Sequence, residues 1–342
     1  MIDIMVVHST RSGKVSVEEG MARLAEVVKA GLGKFAENIE NLISNLTSKE
    51  KAADPEAGGL VSVVSSKEDI DKVVRNILLR KVPKVALSGG DGFAALFFNR
   101  FFKARAELGR EDYRPDVLFL KGGTGNAVSY CGGFRNDEEG LRCLQENRYE
   151  TEPLNLLEVV ADERRELAQF VSFGADGEII EIYSRQKLKG IVGYILAVLR
   201  YSFGRRLYNI FSRNDANYNL RIESDGAEIH AGRHEGGGIS SIPYVGYGFR
   251  PYPLAVNGAA HIRFVLFGAL LMPTVFKLTR WVFAKRPNRI IYDREVASPC
   301  TLDFSFDRAL HVQVAGDLWE KQKSVRVEFS QDKTVNMVKR AG

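Results

Sequence analysis

Cysteine is scarce. The 342 residues carry three, Cys131, Cys143 and Cys300, with neither paired nor metal-ligand spacing. That excludes a disulfide framework and a thiolate zinc site, and predicts free thiols in a reducing cytoplasm. The five histidines, His8, His230, His234, His261 and His311, are also without ligand spacing. His230 and His234 lie four apart, but the glycines between and after them argue against a shared helix, so they read as loop residues that hold no metal. No apolar run reaches bilayer length. The longest, 264–276, contains Pro273 and lies between Arg263 and Lys277, short of the roughly 20 residues a spanning helix needs. The opening MIDIMVVHST lacks the basic start and long apolar stretch of a signal peptide and reads as a first strand. There is no internal repeat, no low-complexity tract and no recognisable nucleic-acid module, so nucleic acid is not an expected partner.

What is present suits a soluble α/β chain long enough for two domains. Apolar content is ordinary, and the net charge of +5 favours anionic partners without choosing among them. The informative stretch is 85–133. Two short apolar runs, Val85-Ala86-Leu87 and Val117-Leu118-Phe119-Leu120, each end in a glycine-rich turn. The first turn is Ser88-Gly89-Gly90-Asp91-Gly92 and the second Lys121-Gly122-Gly123-Thr124-Gly125-Asn126. A buried strand feeding a glycine turn and then a helix presents backbone N–H groups to a phosphate. Asp91 inside such a turn would repel phosphate unless a divalent cation came between them. The residues thus predict a nucleoside triphosphate site with a divalent cation, and phosphoryl transfer. The plain alternative is a pair of ordinary turns in a doubly wound sheet.

Along the chain, 2–7 reads as a strand, 17–30 and 32–46 as helical, 52–59 as a loop and 60–64 as a second strand. Ser65-Ser66 caps a helix predicted over 68–79, with acidic residues in its first turn. Strands alternating with helices imply a parallel sheet, whose ligands bind at the carboxyl ends of the strands. Past about 147 the texture changes to short β-like segments, at 154–160, 168–171, 217–223, 262–266, 301–306, 310–314 and 324–329. Two helical insertions interrupt them, at about 187–203 and 267–284. The expected division is an α/β nucleotide-binding domain over 1–147 and a β-rich domain over 148–342, the C-terminal segment being free to return to the first domain.

The pair of turns resembles the catalytic family of the diacylglycerol kinases, which includes sphingosine kinases and bacterial lipid kinases. Gly89-Gly90-Asp91-Gly92 and Gly123-Thr124-Gly125-Asn126 match that family's G-G-D-G and G-T-G-N in order and separation. After the first strand, Ser9-Thr10-Arg11-Ser12-Gly13-Lys14 keeps the family's S-G-K and loses its N-P. Weaker similarity continues at 173–178 (Phe-Gly-Ala-Asp-Gly-Glu), 189–194 and the run Gly236-Gly237-Gly238. The resemblance implies a β-sandwich-like second domain, an active site in the interdomain cleft, and transfer of the γ-phosphate of ATP to a lipid hydroxyl with Mg²⁺. On that reading Gly89, Gly90 and Gly92 cradle phosphates and Asp91 orders the metal. Ser9, Ser12 and Gly13 edge the site, Lys14 offers a cation, and Gly123, Thr124, Gly125 and Asn126 contact the nucleotide. A surface role for Lys14 and local turn bonding for Thr124 and Asn126 are the plain alternatives.

The sequence departs from the family at three acidic positions. Ala127 follows G-T-G-N, Asn257-Gly258 stands for a D-G pair, and Val314-Ala315-Gly316-Asp317 puts Ala315 where the proton-accepting aspartate belongs. Alanine accepts no proton. Asp317 is the expected substitute, with Asp176 and Glu178 as further acids; the alternative for Asp317 is a turn residue. A pseudokinase that binds nucleotide or lipid without turnover is therefore the rival reading. A soluble NAD kinase also shares G-G-D-G but has no use for the apolar insertions. Those insertions set Tyr194, Tyr201, Phe203, Phe276, Trp281 and Phe283 beside Lys187, Lys189, Arg200, Arg205, Arg206, Lys277, Arg280, Lys285, Arg286 and Arg289. That mixture suits anionic lipid headgroups at a membrane surface, and predicts a cytoplasmic, membrane-peripheral protein, the plain alternative being core helices with solvated basic ends; a homodimer is left open.

Overall fold

The computed structural model describes residues 4–10, 61–123, 125–188, 190–211, 217–246, 248–265 and 291–342. Ser12, Gly13, Lys14 and Thr124, the helices expected over 17–46 and the insertion expected over 267–284 lie outside the described residues. The chain divides into two compact units, Met1–Leu154 with Thr334–Gly342, and Asn155–Lys333.

The first unit runs β1 (Ile4–Ser9), β2 (Val61–Val64), α1 (Lys67–Arg80), β3 (Lys84–Gly89), α2 (Asp91–Glu107), β4 (Asp116–Lys121), α3 (Ala127–Cys131) and α4 (Asp137–Gln145). β2, β1, β3 and β4 pair in that order, all parallel. Their residues are apolar in unbroken runs because helices are available for both faces. Ile4, Val6, Ala86, Leu118 and Leu120 form a cluster with Leu141 and Leu144 of α4. Phe98 of α2 meets Phe119 of β4 edge to face at 5.9 Å, and Phe97, Phe101 and Phe102 are buried beside it. This aromatic anchoring holds α2 against the sheet with its first turn at the carboxyl end of β3. α1 starts as its sequence predicts: Ser66 caps it, its hydroxyl accepting from the Asp69 amide while the Asp69 carboxylate accepts from the Ser66 amide.

The sheet of this unit is completed by the far end of the chain. Asn336 and Met337 pair in parallel with Asp116 and Val117 of β4. Asn336 Nδ2 donates to Asp116 Oδ1 at 3.3 Å, and the Arg340 amide donates to the Gly132 carbonyl at 2.8 Å. Val335, Met337 and Val338 are buried.

The second unit contains most of β5 (Tyr149–Ala161), then β6 (Arg164–Ala168), β7 (Phe170–Gly174), α5 (Ala175–Arg185), α6 (Gly190–Phe211), β8 (Tyr218–Ser224), β9 (Ala227–His234), β10 (Gly236–Ser240), β11 (Ala260–Val265), β12 (Ile291–Val296), β13 (Cys300–Val314) and most of β14 (Asp317–Arg340). It is strand-rich and antiparallel. β13 is shared: Leu302 to Phe306 pair with β8, whereas Val312 to Val314 pair with β7, and a bulge falls between the two stretches. Phe173, Phe264, Phe304, Phe306 and Tyr218 pack ring on ring where these strands meet, the centroids 5.1–6.1 Å apart.

Several sequence expectations shift. The segments 301–306 and 310–314 are one bulged strand, and 168–171 is a junction between two strands. Gly236-Gly237-Gly238 is a buried strand, which its composition hides; a Cβ at Gly238 would stand 2.0 Å from the Val171 carbonyl oxygen, so only glycine lets β7 and β10 approach. His230 and His234 lie on strand β9, not in a loop.

Deleting residues 334–342 should abolish cooperative unfolding of the first unit, and Val338→Ala alone should cost about 2 kcal/mol. Urea denaturation followed by circular dichroism measures both; an unchanged midpoint in the deletion would show that this strand is dispensable.

Candidate functional site

The two glycine turns meet at the carboxyl ends of β3 and β4, and they meet backbone to backbone. A Cβ built on Gly123 would stand 2.3 Å from Gly90 Cα and 2.9 Å from Gly90 N. One built on Gly122 would stand 2.6 Å from Gly89 N. Neither neighbour is a flexible side-chain tip, so neither can give way. Gly122 and Gly123 are glycine because the turns touch there. Gly90 differs: a Cβ on it would meet only Gly123 Cα, at 3.4 Å, which is ordinary contact, and its φ is −86°. Packing does not require a glycine at 90.

Gly90 is the N-cap of α2 and provides no side chain to close the first turn of that helix. The amides of this turn, Gly92 among them, lie at the carboxyl end of β3. Together with the helix dipole they form an anion-binding terminus.

Asp91 is the first residue of α2. Its Oδ1 accepts from the Val128 amide at 3.2 Å. Burial pushes its carboxyl above the ordinary range, and the amides of Ala127, Val128 and Asp91 itself pull it back. The carboxylate therefore ties the start of α2 to the start of α3. These partners are backbone groups, which the sequence does not announce; the only signal was that a helix opens after G-T-G-N.

The second turn is held by its own side chain. Asn126 adopts φ 54°, its Oδ1 accepts from the Gly123 amide at 2.8 Å, and its Nδ2 donates to the Gly123 carbonyl at 2.7 Å. Ser129 Oγ donates to the Asn126 carbonyl at 2.8 Å. Local turn bonding thus occupies the Asn126 carboxamide. Ser9 ends β1 at the same carboxyl edge and is buried. Beside it His8 Nδ1 lies 3.0 Å from Ser88 Oγ, and burial lowers the histidine's pKa, keeping it neutral. Lys121, absent from the sequence-predicted set, sits at the end of β4 with Nζ 5.1 Å from the Tyr130 ring centroid.

Asp317 belongs to the second unit. It opens β14 opposite Val314, closing a two-residue turn in which Ala315 and Gly316 both have positive φ, 48° and 94°. Asp317 is exposed and Ala315 buried, with the Ala315 amide donating to the Phe170 carbonyl at 3.0 Å. Asn257-Gly258 repeats the left-handed pair, with φ 53° and 77°, and so does Asp225-Gly226, with φ 50° and 82°. Such pairs are what tight turns select. Ala127 is fully buried at the start of α3.

Asp176 stands in the first turn of α5, among Tyr218, Tyr252 and Glu235, with Tyr201 Oη donating to Glu235 Oε1 at 3.1 Å. Burial pushes the Asp176 carboxyl up to about 7. His230 and His234 meet over Gly232 with Nε2 atoms 2.7 Å apart and ring centroids 5.0 Å apart. The rings therefore point head-on, the geometry of an N–H···N bond and not of two ligands converging on an ion. Among the described residues, no three His, Cys, Asp or Glu side chains gather as a metal cluster. A magnesium ion asks for less, since it keeps several waters and takes one or two carboxylates plus substrate phosphates. A single Asp91 beside an open helix terminus fits that mode.

No protein-family model matches the chain, and no curated protein matches it in sequence. Solved structures do. A structure described as a diacylglycerol kinase of Bacillus anthracis str. Sterne aligns over 98% of this chain and 96% of its own, at 13% identity and a TM-score of 0.57. A second structure from that organism with the same kinase assignment aligns over 99% and 97%, at 14% identity and 0.62. Yeast NADH kinase, solved with NADH, covers 99% of this chain and 84% of its own, at 11% identity and 0.51. At such identities the likeness shows the fold, and the fold is the two-domain one of diacylglycerol kinase-like proteins, a kinase fold.

Two glycine substitutions separate packing from binding. Gly123→Ala should destabilise the protein by about 3 kcal/mol through backbone overlap, whereas Gly90→Ala should cost under about 1 kcal/mol and weaken nucleotide binding. Thermal unfolding and titration with a fluorescent ATP analogue measure the two effects. Equal binding by folded Gly90→Ala and wild type would remove the phosphate role from this turn.

Asp176 gives a pH test. Its folded-state pKa of about 7 lies above the unfolded value near 3.9, so the folded chain holds a proton that the unfolded chain releases. The stability this lends is complete below about pH 4 and is lost as pH rises towards 7. Because part of Asp176 still reaches solvent, the loss is about 2 kcal/mol instead of the roughly 4 a full three-unit shift would give. Asp176→Asn should flatten the wild-type decline in urea midpoint across that window; parallel curves for the two proteins would contradict the assignment.

Proposed function

We propose that this protein is a lipid kinase that transfers the γ-phosphate of ATP to a lipid hydroxyl. The observation that carries the reading is the joining of the two glycine turns at the N-terminus of α2, whose cap Gly90 has no side chain, with Asp91 in its first turn. That the fold is shared with diacylglycerol kinase-like structures supports the same reading.

The residues have distinct tasks. The α2 amides after Gly89 and Gly90 receive phosphate oxygens, with the helix dipole favouring the negative charge. Gly123 and Asn126 hold the second turn in register against the first, so neither loop has to reorganise when nucleotide enters. Asp91, whose Oδ1 is engaged by the Val128 amide, retains lone pairs for a hydrated divalent cation. A magnesium ion held by Asp91 would supply positive charge to the phosphates. The acceptor hydroxyl must lose a proton as its oxygen bonds to phosphorus. Asp317, as its carboxylate, is the base we assign to that step, because Ala315 has no side chain able to accept the proton.

A second reading, nucleotide binding without turnover, is favoured by one feature: the Asp91 carboxylate already serves as the cap of α3.

The test is transfer of label from γ-labelled ATP with Mg²⁺ into a mixed lipid extract. Wild type should label lipid. Asp91→Asn should lower the rate at least about hundredfold while keeping the fold, since an amide oxygen can still accept from Val128. Asp317→Asn should lower it by about a hundredfold if it takes the proton. Unlabelled lipid from a folded wild type that binds ATP would establish the binding-only reading.

A further inference from the structure

Helix α6 is apolar on both sides. Its inner side, Ala197 and Tyr201 with Tyr194 and Val198, packs on Ala175, Ile179, Ile182 and Tyr183 of α5. Its start is fastened there as well: the Gly190 amide donates to Tyr183 Oη at 3.0 Å and Gln186 Nε2 donates to the Gly193 carbonyl. The outer side has no such cover. Leu188 is 50% exposed, Val192 61%, Ile195 51% and Leu199 40%. Among the described residues seven large apolar side chains are exposed, and these are four of them. Leu188 lies just before the helix, and Val192, Ile195 and Leu199 fall at intervals of three and four, which places these three in one stripe along it.

The charge around the stripe has one sign. Residues 187–211 hold Lys187, Lys189, Arg200, Arg205 and Arg206 and no aspartate or glutamate. Those five positive charges equal the net charge of the whole chain, +5, so the remainder is formally neutral. Lys187 and Arg200 are exposed. The segment that carries the uncovered apolar stripe is thus basic along its whole length.

We propose that the outer face of α6 docks on an anionic lipid bilayer, the helix lying in the plane of the interface. Among the described residues no helix is long and apolar enough to cross a membrane, and α6 would lie flat with about 33 Å of length along the surface. Leu188, Val192, Ile195 and Leu199 enter the boundary between headgroups and acyl chains, and Lys187 and Arg200 meet the phosphates. Charge selects this occupant over a second copy of the chain. Two copies meeting stripe to stripe would bring the exposed Lys187 and Arg200 of each together with no acid in 187–211 to offset them, whereas an anionic surface neutralises them. The inference deepens the proposed function by naming where a lipid acceptor would be met, and its observations stand apart from the glycine turns.

Vesicle sedimentation with the full chain tests it, without nucleotide. Wild type should bind phosphatidylcholine vesicles containing phosphatidylserine, and binding should weaken in high salt and without the anionic lipid. Val192→Asn with Ile195→Asn should reduce partitioning at least about tenfold. Lys187→Gln with Arg200→Gln should reduce it roughly fivefold for each charge removed. All four positions are exposed, so thermal midpoints should stay at the wild-type value. Partitioning equal in all three proteins would overturn the proposal. So would a dimer in sedimentation velocity, free of vesicles, that Val192→Asn with Ile195→Asn splits, because the stripe would then belong to a second copy. Phosphate transfer to a short-chain, water-soluble lipid alcohol should persist in the docking variants. Loss of vesicle binding with retained transfer separates this inference from the kinase reading.

Discussion

Gly90 and Gly123 touch through their backbones, and the arrangement of the first unit's functional edge depends on that contact. Main-chain atoms at van der Waals distance leave no room for a side chain on Gly122 or Gly123. One carboxylate, from Asp91, then spans the same gap to the Val128 amide. A contact of this kind fixes two loops relative to each other more rigidly than side chains could, because it has no rotamers. The donor groups are thus preorganised, which is the condition under which fixed dipoles act on charge developing in a reaction.

Asp91 shows how one residue can satisfy structural and chemical demands together. Burial raises its pKa while the amides around it favour the anion. A carboxylate balanced in this way remains a strong acceptor for backbone donors and remains available to a cation. Its structural task explains why an acid would persist at this position with or without catalysis.

Local pattern made the first unit legible in the sequence. Apolar runs of strand length, glycine punctuation and the Ser66 cap gave the parallel sheet and α1 almost to the residue. The second unit was legible in texture and not in its boundaries. β13 reads as two strands because a bulge resets the alternation between Ser305 and Val312, and β10 is masked by three glycines that pack between β7 and β11. At the candidate site, the sequence showed which residues come together but not how. Asn126 is spent on its own turn, and the partners of Asp91 are amides that every residue possesses. The missing acids are the instructive case. Asn257-Gly258 and Ala315-Gly316 occupy left-handed turns, where aspartate and asparagine are favoured for backbone reasons alone. An acid before glycine is therefore weak evidence of chemistry, and its replacement is weak evidence against it. The stripe on α6 was visible as apolar and basic composition, but only burial separates the face that packs on α5 from the face that does not.

The strand that finishes the first unit has a consequence for how the protein is made. Residues 1–154 leave the ribosome before residues 155–333, yet the parallel partner of β4 lies within 334–340. At roughly 5–20 residues per second, the β4 edge waits on the order of ten to forty seconds for its neighbour. During that interval its amides and carbonyls on that side are unpaired and the future contacts of Val338 are open to water. The first part of the chain to emerge is then among the last to be completed, and translation speed through the second unit sets how long a sticky sheet edge is shown to the cell.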